Sequence, residues 1–244
     1  MNRIDIKEED YKKYCPSYFG YESKIYKLED ETLLKVFNER VNPNCKLQKL
    51  KLLSQIDVNT HFLKDLVYVD DNFIGYTMQN LTKQGYKVIN CCEHFGDKKI
   101  EISKLVWQRI KELHDIGIIY GDIREANILY NGKDIILCDM DNVKIKDLFF
   151  DIVSEQNKQY LYKTHFNYDL MDNYVFNKFF VGYYQKIYMP NMGKDILKKR
   201  LDNDECRQIA HDMAFLNPNY NGELFIDHLN DTLGDKLKRT LFKK

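Results

Sequence analysis

Apolar and polar positions alternate with a period near two in the first third of the chain, and with a helical period in much of the rest. Ser23–Tyr26 and Leu33–Phe37 read as two short strands around the turn Glu29-Asp30-Glu31. From Cys45 to Ile56, Leu47, Leu50, Leu53 and Ile56 recur at helical spacing, and Asn42-Pro43-Asn44 supplies a start signal. Leu66–Val69 and Phe73–Met78 flank Asp70-Asp71-Asn72, residue types that tolerate the backbone of a tight hairpin. Residues 1–80 therefore read strand, strand, helix, strand, strand. Beyond Leu81 the pattern changes. Ile102–His114 carries Leu105, Val106, Ile110 and Leu113 on one helical face. Asn127–Tyr130 and Asp134–Cys138 are short apolar runs around the hairpin signal Asn131-Gly132, and from Asp169 onward the spacing is helical. These patterns predict an α+β chain: a small β-rich lobe over 1–80, then a larger, mostly helical lobe over 81–244.

Composition narrows the classes. The 244 residues hold 37 Lys+Arg against 37 Asp+Glu, so the net charge is zero. General nucleic-acid and membrane-surface binders carry a basic excess, so neither partner is expected. A hydrophobic fraction of 44% is enough for a packed core and excludes disorder. No apolar run approaches the ~18 residues of a membrane span. Met1–Asp10 is charged throughout and does not read as a signal peptide. Cys15, Cys45, Cys91, Cys92, Cys138 and Cys206 form no C-x-x-C pair. They read as reduced thiols, and the protein as cytoplasmic. The basic stretch Lys236–Lys244 reads as a solvated helix face.

Candidate chemistry concentrates between Leu113 and Val143. Asp122 is followed five residues later by Asn127 and twelve beyond that by Asp139. A loop leads into a hairpin whose second strand ends at Asp139, so the hairpin is expected to return Asp139 beside Asn127. Two carboxylates and an amide offer oxygen ligands of the kind that suit Mg²⁺, which prefers a few carboxylates together with phosphate oxygens. Asp122 is then available to orient a hydroxyl and accept its proton.

At these residues the chain resembles the protein kinase fold family. Tyr120-Gly121-Asp122-Ile123-Arg124-Glu125-Ala126-Asn127 is similar to the catalytic loop His-Arg-Asp-x-x-x-x-Asn, and Asp139-Met140-Asp141 to Asp-Phe-Gly. Leu113-His114-Asp115-Ile116-Gly117-Ile118 looks like the run that precedes that loop. Leu33-Leu34-Lys35-Val36 looks like the strand bearing the ATP-contacting lysine, and Tyr76–Leu81 falls where the hinge belongs. Asp172-Asn173-Tyr174 with Phe176 looks like the start of the central helix, whose Asp braces the catalytic loop. Arg207–Leu229 fits the last two helices. The resemblance implies a bilobal kinase-like domain with ATP and Mg²⁺ as cofactors. Asp122 would be the catalytic base, and Arg124 would stabilise the transferred phosphoryl group. Asn127 and Asp139 would be metal ligands, with Asp141 either a second metal contact or an ordinary turn residue. Gly20, Ile25, Lys35, Met78, Gln79 and Leu81 would line the nucleotide site. The implied activity is transfer of the ATP γ-phosphate to a hydroxyl, with a Ser/Thr protein acceptor favoured. Gly121 before the base and the Asp-x-Asp motif fit small-molecule kinases of the aminoglycoside or choline type. A pseudokinase acting as a binding module is the third reading.

The chain departs from the family pattern in three places. The phosphate-covering loop Gly-x-Gly-x-x-Gly-x-Val keeps only Gly20 in Tyr18–Ile25. No acidic residue lies between Arg40 and Ile56, so the helix glutamate that should pair with Lys35 is missing, with Gln48 or Lys49 in its place. Gly121 replaces the arginine that would bind a phosphate on the segment Asp141–Tyr168, which carries Ser154, Tyr160, Tyr162 and Thr164.

Overall fold

The hairpin and cap signals are read directly by the backbone. The computed structural model describes residues 1–28, 31–56, 63–90, 97–150, 155–163 and 168–185, with 222, 224 and 226. Its first elements are β1 (Asn2–Asp5), α1 (Glu8–Lys12), β2 (Pro16–Phe19), β3 (Ser23–Lys27), β4 (Thr32–Phe37), α2 (Pro43–Leu53), β5 (Leu63–Val69) and β6 (Asn72–Gln79). Helix α2 starts where the sequence signals it. Asn42 Oδ1 accepts from Asn44 N at 3.0 Å and Cys45 N at 3.3 Å, and Pro43 fills a position whose N–H has no helical partner. The helix ends at Leu53, three residues before the expected Ile56. Asp70 and Asp71 both take positive φ, 47° and 63°, the backbone that a two-residue hairpin turn needs.

The sequence reading omits β1, α1 and β2. The apolar alternation Ile4, Ile6 is brief and buried in a charged stretch, and a short edge strand needs little more. Together the strands form one six-stranded sheet in the order β1-β5-β6-β4-β3-β2. Only β1 and β5 run parallel among its defined registers; the others pair antiparallel. One face carries Tyr26, Leu34 and Val67 against Tyr11, with Ile4, Ile6 and Tyr14 packed alongside. The other carries Leu66, Phe73 and Tyr76 against Leu50 of α2. Gly75 on β6 is fixed by close approach: a Cβ there would sit 1.9 Å from the carbonyl oxygen of Lys35.

Chain contacts divide the protein into two compact units, Met1–Lys87 with Tyr130–Asp151, and Val88–Leu129 with Ile152–Lys244. The stretch from Tyr130 to Asp151 thus groups with the sheet-bearing unit, whereas the sequence pattern divides the chain at 80/81. In the second unit, α3 (Asp97–His114) buries Ile102, Val106, Ile110 and Leu113, with Leu105 only half-buried. Two further helices follow, α4 (Glu155–Lys163) and α5 (Met171–Gln185). Trp107 of α3 packs on Phe176 of α5 at 4.9 Å between ring centroids. Tyr160 of α4 stacks on Tyr174 of α5 at 4.5 Å and 17°. Helix α4 lies inside the segment that the sequence left without structure; its Tyr160 is buried, while Tyr162 is exposed. Ser154, Thr164, Cys91, Cys92, Cys206, Arg207 to Leu229 apart from 222, 224 and 226, and the tail from Lys236 lie outside the described residues, as do Glu29 and Asp30 of the first expected turn. Among the described residues, no helix is long and apolar enough to cross a membrane.

Candidate active site

Pairing across the sheet builds the first half of the site. Lys35 on β4 lies opposite Ile25 on β3 and opposite Tyr76 on β6, so the three share one face, the face that α2 covers. On that face Lys35 is buried, and its Nζ meets two carboxylates that follow it by more than a hundred residues. One is Asp139; the other is Asp141, at 2.6 Å. Asp141 Oδ1 also accepts the Tyr76 hydroxyl at 2.7 Å, and its Oδ2 lies 3.0 Å from Lys46 Nζ of α2. Lys46 reaches in turn to Glu22, in the turn between β2 and β3, at 2.8 Å. The result is a run of alternating charge: Glu22, Lys46, Asp141, Lys35, Asp139.

Burial opposes the negative charge of Asp141, but the ammonium groups of Lys35 and Lys46 more than reverse this and hold its carboxyl well below the usual carboxylate range. The two lysines show the mirror effect. Burial works against each charge, the neighbouring carboxylates outweigh it, and both stay protonated well above the ordinary lysine value. Burial raises the Tyr76 hydroxyl, and Asp141 adds to it. Burial also raises Glu22, against the pull of Lys46. Next to Asp139, burial pushes the Cys138 thiol up to about 12, so it is no nucleophile at neutral pH. Removing one member of such a set leaves an uncompensated buried charge, a loss of about 3–5 kcal/mol.

The second unit holds the other candidate residues. Asp122 Oδ2 accepts from Asn127 Nδ2 at 2.8 Å and lies 3.1 Å from Arg124 Nε. The Asn127 amide nitrogen also donates to the Asp122 carbonyl at 3.1 Å, which leaves Asn127 Oδ1 as the oxygen that side chain can offer. The loop that carries Asp122 is held from α5. Asp172, fully buried, accepts Gly121 N at 2.6 Å on Oδ1 and Tyr120 N at 2.7 Å on Oδ2. His114 Nε2 lies 2.9 Å from the same Oδ2, so the helix-end histidine bonds the brace as well as packing on Trp107. Asn157 of α4 donates to the Gly121 carbonyl at 2.8 Å. Gly121 has φ +75°, a backbone that favours glycine, and its peptide groups are gripped on both sides.

Each expected site residue has a definite place. Lys35, Asp139 and Asp141 come together in the first unit; Asp122, Arg124 and Asn127 come together in the second. Gly20 sits in the β2–β3 turn, its N–H donating to Ser23 O at 2.8 Å. Ile25 is half-buried on β3, Met78 and Gln79 end β6, and Leu81 is buried at the start of a 3₁₀ turn, Leu81–Gln84, capped by Asn80. Tyr76 lies within β6 opposite Lys35, whereas the sequence places it only at the start of the hinge. The sequence assigns no site role to Lys46, Glu22 or Asn157. Lys46 leaves a trace there: the positions that α2 buries are Lys46, Lys49, Leu50 and Leu53, so two lysines interrupt the apolar stripe. Gln48, one of the two residues expected in place of the helix glutamate, is exposed. Among the described residues, no group of three or more His, Cys, Asp or Glu side chains is gathered as a metal site. No protein-family model and no curated protein matches the sequence.

Proposed function

We propose that the chain is a divergent member of the protein kinase-like fold family. Its function is ATP- and Mg²⁺-dependent transfer of a phosphoryl group to a hydroxyl, with Ser/Thr of a protein as acceptor. The observation that carries this reading is the contact of buried Lys35 with Asp139, residues 104 apart in sequence that the motif match assigns to phosphate and metal. The brace from Asp172 to the loop of Asp122 supports it independently.

Asp139, a quarter exposed in the first unit, and Asn127 Oδ1 in the second are each hard oxygen donors of the type Mg²⁺ selects. Mg-ATP supplies the phosphoryl group and neutralises its developing charge. In this reading Lys35 binds the nucleotide phosphates, and Asn127 and Asp139 hold the metal. Asp122, held by Asn127 and Arg124, orients the acceptor hydroxyl and takes its proton. Arg124, exposed beside it, places a fixed positive charge by the reacting oxygens. Gly121 before the base favours the second reading, a small-molecule hydroxyl acceptor.

Incubation with γ-labelled ATP and Mg²⁺, alone and with cell lysate, tests the proposal. Labelled protein is the expected product, and a panel of aminoglycosides and choline-like alcohols separates the two acceptor classes. Asp122→Asn is expected to lower kcat by about 10²–10⁴ and to leave ATP affinity unchanged. Wild-type turnover in that variant, or no ATP turnover in the native chain, would refute the assignment.

A further inference from the structure

The run of alternating charge around Lys35 shows which residue anchors which. Helix α2 presents Lys46 to the sheet, and with no acidic residue between Arg40 and Ile56 it has no carboxylate to give Lys35. Asp141 supplies it. One oxygen takes Lys35 at 2.6 Å and the Tyr76 hydroxyl at 2.7 Å, and the other faces Lys46 at 3.0 Å. The side chain has 0% exposure. Oδ1 is hydrogen-bonded twice, and Oδ2, buried without a hydrogen bond among the described residues, faces the Lys46 ammonium as an ion pair, so a divalent cation at Asp141 would have to share the site with two buried ammonium groups. Asp139 differs in each respect: its side chain is 26% exposed, it stands at φ +62°, and it pairs with Lys35 at the end of the run.

We infer that Asp141 is a positioning residue, the internal anchor that holds Lys35 and α2 in place, and that Asp139 alone of the pair faces the metal. The inference deepens the phosphotransferase reading and rests on it. The family pattern anchors the strand lysine with a glutamate carried on the helix. Here the polarity is reversed: the helix brings the cation, and the carboxylate comes from two residues after Asp139. Through Lys46 the same carboxylate reaches Glu22, so the β2–β3 turn is tied into the cluster even though it keeps only Gly20 of the usual glycines.

The test uses the full chain as wild type, Asp141→Asn, Lys46→Met, the Lys46→Met/Asp141→Asn double variant, and Asp139→Asn. Each is read by denaturant unfolding and by calorimetric titration with ATP, once in Mg²⁺ and once in EDTA. Both single changes at 46 and 141 are expected to lower the unfolding midpoint, and the double variant to recover more than half of the summed loss, because it removes both buried charges together. Asp141→Asn is expected to weaken ATP binding about 10–100-fold, the range for residues that orient a ligand-binding group, by the same factor with and without metal. Asp139→Asn is expected to lose the gain that Mg²⁺ gives. If Asp141→Asn keeps its metal-free affinity and loses the Mg²⁺ gain, Asp141 is a ligand and the inference is overturned. Unchanged ATP binding in both media, or additive unfolding midpoints, overturns it as well. Absence of ATP binding in the wild type refutes the phosphotransferase reading itself, and the anchoring of Lys35 for nucleotide falls with it. Binding in the wild type with any of the contrary variant results refutes the anchor alone.

Discussion

Replacing Asp172 by asparagine exposes how much of the loop geometry depends on one carboxylate. Its Oδ1 accepts Gly121 N at 2.6 Å, and its Oδ2 accepts Tyr120 N at 2.7 Å with His114 Nε2 at 2.9 Å. In Asp172→Asn one of the two oxygens becomes an NH₂ group. Whichever way the amide turns, its protons face a backbone N–H, of Gly121 in one orientation and of Tyr120 in the other. A buried donor left without an acceptor costs about 1–3 kcal/mol, and the surviving bond loses about 1 kcal/mol of charge assistance. The sum is about 2–4 kcal/mol. At about 2–4 °C per kcal/mol for a chain of this length, the melting midpoint should fall by about 4–16 °C. Calorimetry reads the midpoint, and hydrogen exchange locates the loss. The amides of Tyr120 and Gly121 should exchange faster while those in the middle of α3 keep their rates. A midpoint within about 1 °C of wild type, with both amides still protected, would refute the brace.

Three further outcomes follow from single observations. Gly75→Ala places a Cβ 1.9 Å from the Lys35 carbonyl oxygen, so β4 and β6 must part; a loss of about 1–3 kcal/mol or more is expected in denaturant unfolding, and an unchanged midpoint contradicts the close approach. Burial lowers Lys178 of α5 to about 8, so between there and its unfolded value of 10.5 the unfolded chain holds the extra proton. Stability should therefore rise with pH across that window by up to about 3 kcal/mol, and Lys178→Met should remove the rise. Asn157→Asp turns a donor to the Gly121 carbonyl into an acceptor facing an acceptor; the unfolding free energy should fall by about 1–3 kcal/mol in denaturant titration, with Asn157→Ala less affected, and equal stabilities would discount the bond.

Much of the local structure was legible because it is chemically local. Asn42-Pro43 caps a helix through its own side chain and ring, and Asp70-Asp71 can take positive φ, so α2 and the β5–β6 hairpin are written in a few adjacent residues. The pairing of Asp122 with Asn127, five residues apart, is local in the same way, and Asp172 stands out because it lies in the first turn of a helix. The cluster around Lys35 was not. Lys46 reads as a solvated lysine until Asp141, 95 positions on, supplies a buried counter-charge, and no pattern inside α2 encodes that partner. The two lysines in its buried stripe are the trace the sequence leaves. Strand β1 is a second case. It gains its partner from β5, and four residues with two apolar positions nearby give too short a period to separate from a charged terminus.

The order of the loop around Asp122 also bears on regulation within the phosphotransferase reading. An arginine before the catalytic Asp would draw a phosphorylated segment onto the loop through charge-assisted bonds. Gly121 has no side chain, yet its backbone is held on both sides: the N–H goes to Asp172 and the carbonyl to Asn157. Asn157 comes from α4, inside the stretch where an activating phosphate would be expected. Of the hydroxyls in that stretch, Tyr160 is buried against Tyr174 and closed to a modifying enzyme, while Tyr162 is exposed on the same helix. A neutral hydrogen bond from a packed helix thus occupies the place of a switchable ion pair. It is present without modification, so the loop geometry is set by folding of α4 against α5. In this reading activity is expected to follow the stability of that helix pair, and phosphatase treatment is expected to leave ATP turnover unchanged; a marked loss of turnover on dephosphorylation, with the fold intact, would refute it.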